Sequence, residues 1–176
     1  MKEQKMSVNR KEKRTAAIWS VLFAAGILLF TLSDQFTKYL AAVHLKNTEG
    51  ITLIPGVLKL QYLENRGMAF GMLQGKQLIL ILICLVFFAA AAFVFARTPK
   101  TAYYLPLTAV IAVLTGGAAG NFIDRIFRGY VVDFIYFSLI DFPVFNLADI
   151  YVVCGGIALS VIVIFKYKDG DFRFLF

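Results

Sequence analysis

Asp133 and Asp149 are two of only 11 acidic residues in a chain of 176. Asp133 lies in the run YVVDFIYF with no basic residue within four positions, surroundings in which an unpaired carboxylate is costly to bury. If a loop delivers both acids to one depth, they form a carboxylate pair. Mutual repulsion then raises one pKa until the pair shares a proton, so that the ionised member activates water and the protonated one polarises a carbonyl. That chemistry hydrolyses peptides without a metal, although the spacing of the two acids does not identify it. Asp149 falls in the first turn of an apolar segment, where a helix dipole favours negative charge. Asp133 is therefore the member expected to hold the shared proton.

Further polar residues fall near the same ends of apolar runs: Asp34 and Lys38, then Asn121, Asp124 and Arg125, then Asp141, and finally Asn146. Each has a structural reading as well. Asp34 and Lys38 are four residues apart in the order that favours a helix ion pair, worth about 0.2–0.5 kcal/mol. Asn121, Asp124 and Arg125 share one helix face and can satisfy a frayed C-terminal turn. Asn146 and Asp149 have the spacing of an N-cap and an N3 acid. His44 has no second His or Cys near it and reads as an interfacial residue, and Cys84 and Cys154 lie inside apolar runs as small hydrophobes. No metal, cofactor or nucleic-acid motif is present; a hard cation would compete with Lys38 and Arg125 for the same carboxylates.

The elements that must position these groups are membrane spans. The chain is 60% hydrophobic and 16% charged, against about 45–50% and about 25% in an average soluble domain. Crossing about 30 Å of hydrocarbon takes roughly 20 apolar residues. Four segments qualify, at about 15–40, 78–96, 103–123 and 147–165, within a single membrane domain over 1–176. The basic tail of about 1–14, the Arg97 to Lys100 turn and the Lys166 to Arg173 tail hold most of the Lys and Arg on one side. Both termini are thus expected to be cytoplasmic, with 41–77 and 124–146 extracytoplasmic. The basic start followed by an apolar run also has the look of a signal peptide. No small-residue cleavage site follows promptly, so it reads as a retained anchor. In the first outer loop VLKLQYLEN alternates, with Leu58, Leu60 and Tyr62 on one face and Lys59 and Gln61 on the other, which predicts a small sheet. The second outer loop is apolar enough to lie in the interface or to pack on that sheet. Gly116, Gly120, Gly155 and Gly156 are expected to let spans three and four pack closely.

Four segments taken together resemble the lipoprotein signal peptidase (signal peptidase II) family: SDQFTK from Ser33, ENRGMAFG from Glu64, GNFIDR with GYVVDF between Gly120 and Phe134, and FNLADIY from Phe145. The resemblance implies a polytopic α-helical membrane protein with four transmembrane helices, a small extracytoplasmic β-sheet and an interfacial outer loop. It implies an intramembrane aspartic endopeptidase of the bacterial cytoplasmic membrane. Such enzymes cut the signal peptide from a prolipoprotein just before a cysteine that already carries diacylglycerol. They need no cofactor and bind the lipidated prolipoprotein and membrane lipid, not nucleic acid. Matched motif by motif, the catalytic residues fall on Asp133 and Asp149. The supporting or substrate-binding positions fall on Asp34, Lys38, Asn65, Gly67, Asn121, Asp124, Arg125 and Asn146. The basic N-terminal extension and the tail after about Tyr167 lie outside the pattern, and their sequences are expected to vary freely. Two other classes compete: a proton- or ion-coupled transporter that uses the aspartates as a relay, and a non-catalytic assembly protein in which they serve only as caps and ion pairs.

Overall fold

The computed structural model describes residues 2–67 and 72–176, with side chains from Glu12 onward; residues 68–71, the second half of ENRGMAFG, lie outside the described residues. Four helices, α1 (Lys2–His44), α2 (Gln77–Arg97), α3 (Leu105–Phe127) and α4 (Leu147–Phe165), carry the apolar runs, and each is long and apolar enough to cross a membrane. In hydrocarbon every backbone N–H and C=O needs an internal partner, which is why continuous apolar runs resolve as helices. α3 is the central and most enclosed of the four, packed on α1, α4 and α2.

The helix ends differ from the expected ones for physical reasons. α1 does not stop near Leu40, because Ala41 is buried with Leu45 in a small core against Val132 and Phe134. At its other end the helix continues through the basic residues, which are good helix formers. α3 runs on to Phe127 because Asp124 is fully buried and held by neighbours, so the last turn does not fray.

The sheet is three-stranded and antiparallel, in the order β1 (Ile51–Ile54), β2 (Leu58–Asn65) and β3 (Val131–Phe137). β3 comes from the second outer loop, so that segment forms part of the sheet. Leu60 and Tyr62 of β2 pack on the core shared with the end of α1, as alternation predicts. A register shift between Leu60 and Leu63 sets Leu63 opposite Asp133 and Asn65 opposite Val131. Beyond β3, Phe145 closes the loop by exchanging backbone hydrogen bonds with Ile135 at 2.8 and 2.9 Å.

One expectation needs correction. Gly116 and Gly120 face α1 rather than α4: a Cβ at Gly116 would lie 2.6 Å from Phe30 Cβ, and one at Gly120 would overlap the Asp34 carboxylate. The α3–α4 contact is made instead by Gly117 and Gly155, while Gly156 faces open space. The C-terminal tail packs back on the bundle. Tyr167 is 5% exposed and packs with Tyr104, Phe172 and Phe174 at the end of the bundle opposite the sheet. Replacing Gly120 with Ala is expected to cost about 1–3 kcal/mol, the range for overpacking a tight site. Thermal unfolding in detergent checks this: Gly120→Ala lowers the midpoint and Gly156→Ala leaves it unchanged.

Candidate active site

A fully buried lysine anchors the polar cluster at the sheet end of the bundle. Lys38 Nζ lies 2.8 Å from Asp34 Oδ2, 3.0 Å from Asp124 Oδ2 and 2.8 Å from Asn121 Oδ1, and all three charged side chains are 0% exposed. An ammonium has three N–H donors and no acceptor, so this set satisfies it completely. The i, i+4 pair on α1 is therefore one side of a buried triad, not a surface ion pair. Asp124 gains a second partner in Arg128, 3.6 Å away, and Gln35 donates to Gly120 O at 3.0 Å and to Asp124 Oδ1 at 3.3 Å.

Both acids also hold backbone, Asp34 through its other oxygen and Asp124 through the same oxygen that faces Lys38. Asp34 Oδ1 accepts from Ala148 N at 2.9 Å, and Asp124 Oδ2 accepts from Val132 N at 3.1 Å. Each of those amides immediately precedes one of the paired aspartates.

Two asparagines join the lysine to Asp133 and Asp149. Because Lys38 can only donate, the oxygen of Asn121 must face it, which turns Nδ2 toward Asp149 Oδ1 at 2.9 Å. Asn146 donates to Asn121 Oδ1 at 3.0 Å and to Asp133 Oδ1 at 2.6 Å, so its single NH2 group bridges both sides. Asn146 and Asp149 also form the expected capping box at the start of α4, each side chain accepting the other's backbone N–H at 3.0 Å. The same two residues thus cap the helix and belong to the polar network. On the other side, Asn65 at the end of β2 donates to Asp133 Oδ2 at 2.8 Å, and its own oxygen accepts from Gly67 N at 2.9 Å. The apolar run around Asp133 does not leave it unpaired: two amides hold it.

Asp133 is 2% exposed, and burial, reinforced by the negative charge of Asp149, pushes its carboxyl up to about 7 despite the two amide donors. Asp149 is only half-buried and is held by the donors named above, at a helix N-terminus. The two acids are linked through the side chains of Asn121 and Asn146.

Asp34, Lys38, Asn65, Asn121, Asp124, Asp133, Asn146 and Asp149 thus form one connected network. Arg125 stands beside it, donating to Asn121 O at 3.2 Å and to Gly67 O at 3.3 Å; it pairs with no carboxylate among the described residues. Asp141 lies elsewhere, accepting from Tyr136 at 2.6 Å on the exposed loop. Sequence reasoning passed over Gln35 and Arg128, whose signal was their place beside Asp34 and four residues after Asp124. It also missed the backbone amides of Val132 and Ala148, which leave no mark in side-chain identity. Among the described residues no group of His, Cys, Asp and Glu has a metal-binding arrangement.

Four membrane-length helices with a paired-aspartate network at one end define a multi-pass membrane protein whose polar site sits where the helices meet a small sheet. Residues 26–165 match the sequence model of the family described as signal peptidase (SPase) II, and the chain belongs to that family of membrane peptidases. It is 46% identical over 134 residues to a lipoprotein signal peptidase of Caldanaerobacter subterraneus subsp. tengcongensis, covering 76% of this chain and 89% of that one. It is 34% identical over 151 residues to a lipoprotein signal peptidase of Streptococcus thermophilus, covering 86% and 97%. Two solved structures, each titled as a bacterial membrane enzyme obtained by the in meso method, superpose with TM-scores of 0.72 and 0.70 at 31% and 33% identity. Both cover 84% of this chain, and 92% and 94% of their own lengths.

The raised carboxyl of Asp133 has a sign that stability can report. The folded chain binds this proton more tightly than the unfolded chain, whose carboxyl titrates at the ordinary 3.8. The resulting stabilisation is complete below 3.8, declines as pH rises, and is gone above about 7. Thermal midpoints measured between about pH 4 and about pH 8 should therefore fall more steeply for the native chain than for Asp133→Asn, which has no such proton to lose.

Proposed function

We propose that this chain is an aspartic endopeptidase of the bacterial cytoplasmic membrane that removes the signal peptide from diacylglyceryl-modified prolipoproteins, cutting just before the lipidated cysteine. The observation that carries the reading is the pair Asp133 and Asp149, joined through Asn146 and Asn121 at the sheet end of four membrane-length helices. Asp133, protonated, donates to the scissile carbonyl oxygen, while ionised Asp149 takes a proton from the attacking water. The tetrahedral intermediate then collapses, the C–N bond breaks, and the leaving amine receives a proton from the pair. Asn65, Asn146 and Asn121 hold the two carboxylates in line, and Arg125 fixes Gly67 beside them.

Family membership and the membrane setting support the substrate. A lipid-linked peptide reaches such a site laterally from the bilayer, and the loop after β3 offers exposed Leu139, Ile140 and Phe142 to the acyl region. The sheet beside the dyad suits an extended peptide, the conformation that a helical signal sequence must adopt to be cut. Orientation follows the basic residues. Arg97, Lys100, Lys166, Lys168 and Arg173 lie at the end opposite the sheet, which supports a single membrane domain with both termini in the cytoplasm and the site outside. A transporter would need acids open in turn to both ends, whereas these acids belong to the sheet end alone.

The test is cleavage by detergent-solubilised protein of one prolipoprotein in its diacylglyceryl-modified and unmodified forms. Only the lipidated form should be cut. Asp133→Asn and Asp149→Asn should each lower the rate by at least about 10²–10⁴-fold, the usual contribution of a positioned acid or base. Undiminished cleavage by either variant would end the dyad assignment, and equal cleavage of both substrates would end the lipid requirement.

A further inference from the structure

The Asp34–Lys38–Asp124 triad has a geometry that a mere ion-pair anchor does not need. The acids that neutralise Lys38 are the same acids that hold the backbone at the two aspartates. Asp124 takes Val132 N at 3.1 Å, one residue before Asp133, and Asp34 takes Ala148 N at 2.9 Å, one residue before Asp149. The ammonium ties these two carboxylates together at 2.8 and 3.0 Å, and its third hydrogen bond, to Asn121 at 2.8 Å, orients the amide that reaches Asp149. β3 and α4, which carry the aspartates, are separate elements joined by a loop. Through the triad both are referred to one atom.

We propose that Asp34, Lys38 and Asp124 are positioning residues of the reaction: they set the separation and relative orientation of Asp133 and Asp149, with one arm assigned to each aspartate. Asp124 is the arm for Asp133, and Asp34 is the arm for Asp149. The proposal rests on the dyad reading above and deepens it. None of the three touches substrate. Their effect is on geometry, and a misplacement of about 1 Å can cost about 10²-fold in rate.

The arms make separable predictions for the pH profile of kcat/KM, whose two limbs report the acid and base of the free enzyme. The charged or titratable groups facing the dyad are Lys38 and Asp34 from α1, Asp124 and Arg125 from α3, and Asp149 itself from α4; on β2 the site is faced by the neutral Asn65, while Glu64 is paired with Lys46 and Arg66. Asp124→Asn loosens the Asp133 arm and should move chiefly the basic limb. Asp34→Asn loosens the Asp149 arm and should move chiefly the acidic limb. In each case kcat should fall about ten- to hundredfold with KM within about threefold, since substrate contacts are untouched. Thermal unfolding establishes that each variant is folded at the assay temperature. If the single variants are too unstable to assay, Asp34→Asn, Lys38→Met and Asp124→Asn combined remove the buried charge as a set. The triple variant should fold, lose kcat to the same degree and shift both limbs.

The controls separate this inference from the reading beneath it. If Asp133→Asn or Asp149→Asn retains full activity, the dyad itself is wrong. If both are inactive while folded arm variants keep native kcat and native limbs, the dyad stands and the triad only holds the fold. Equal movement of both limbs by both single variants would also overturn the assignment of one arm to each aspartate.

Discussion

The structure depends on one buried ammonium. Lys38 has no exposure, yet all three of its N–H groups are satisfied, two of them by carboxylates that are equally buried. Removing charges from water costs several kcal/mol per ion, and only full hydrogen bonding offsets it. Loss of the lysine alone would strand two carboxylates, the situation in which breaking a buried ion pair costs about 3–5 kcal/mol. Such a cluster is a poor source of net stability compared with apolar packing of the same volume. Its value lies in direction, because α1 and α3 meet on it and the segments entering β3 and α4 are hydrogen-bonded to it.

The two aspartates inherit different environments from that arrangement. Asp133 is enclosed by the sheet, with amide donors on both oxygens, and burial raises its carboxyl to about 7. Asp149 is half-buried at the start of α4, held by a backbone N–H and by Asn121. Two identical side chains are thereby made unequal, which is what division into acid and base requires. The close approach of α1 to α3 that makes this possible is permitted by Gly116 and Gly120, where any side chain would meet Phe30 or Asp34.

Much of this was legible in the residues. The four apolar runs, the capping relation of Asn146 to Asp149 and the alternation of Leu60 and Tyr62 are local patterns, and local patterns survive folding. Asp133 was conspicuous because an acid in YVVDFIYF needs a reason. What sequence could not show is long-range pairing. Asp34 reads as a partner of Lys38 four residues away, but its other oxygen holds an amide in α4. Gly116 and Gly120 read as a contact for the nearest later span, yet which helix faces a small-residue stripe is decided by the packing of the whole bundle. β3 was hidden in a loop because its run is apolar on both faces, without the alternation that marks a half-buried strand. The tail residues Phe172 and Phe174 carried no pattern that tied them to Tyr104 and Tyr167.

The central claim is that Asp133 and Asp149 share one proton and that Asp133 holds it. Infrared difference spectroscopy of the membrane-embedded protein with isotope-labelled aspartate carboxyls measures this directly, when compared with Asp133→Asn and Asp149→Asn. The account predicts a protonated-carboxyl band just below neutral pH that disappears in Asp133→Asn. A band that survives loss of Asp133 and is abolished by loss of Asp149 would contradict it.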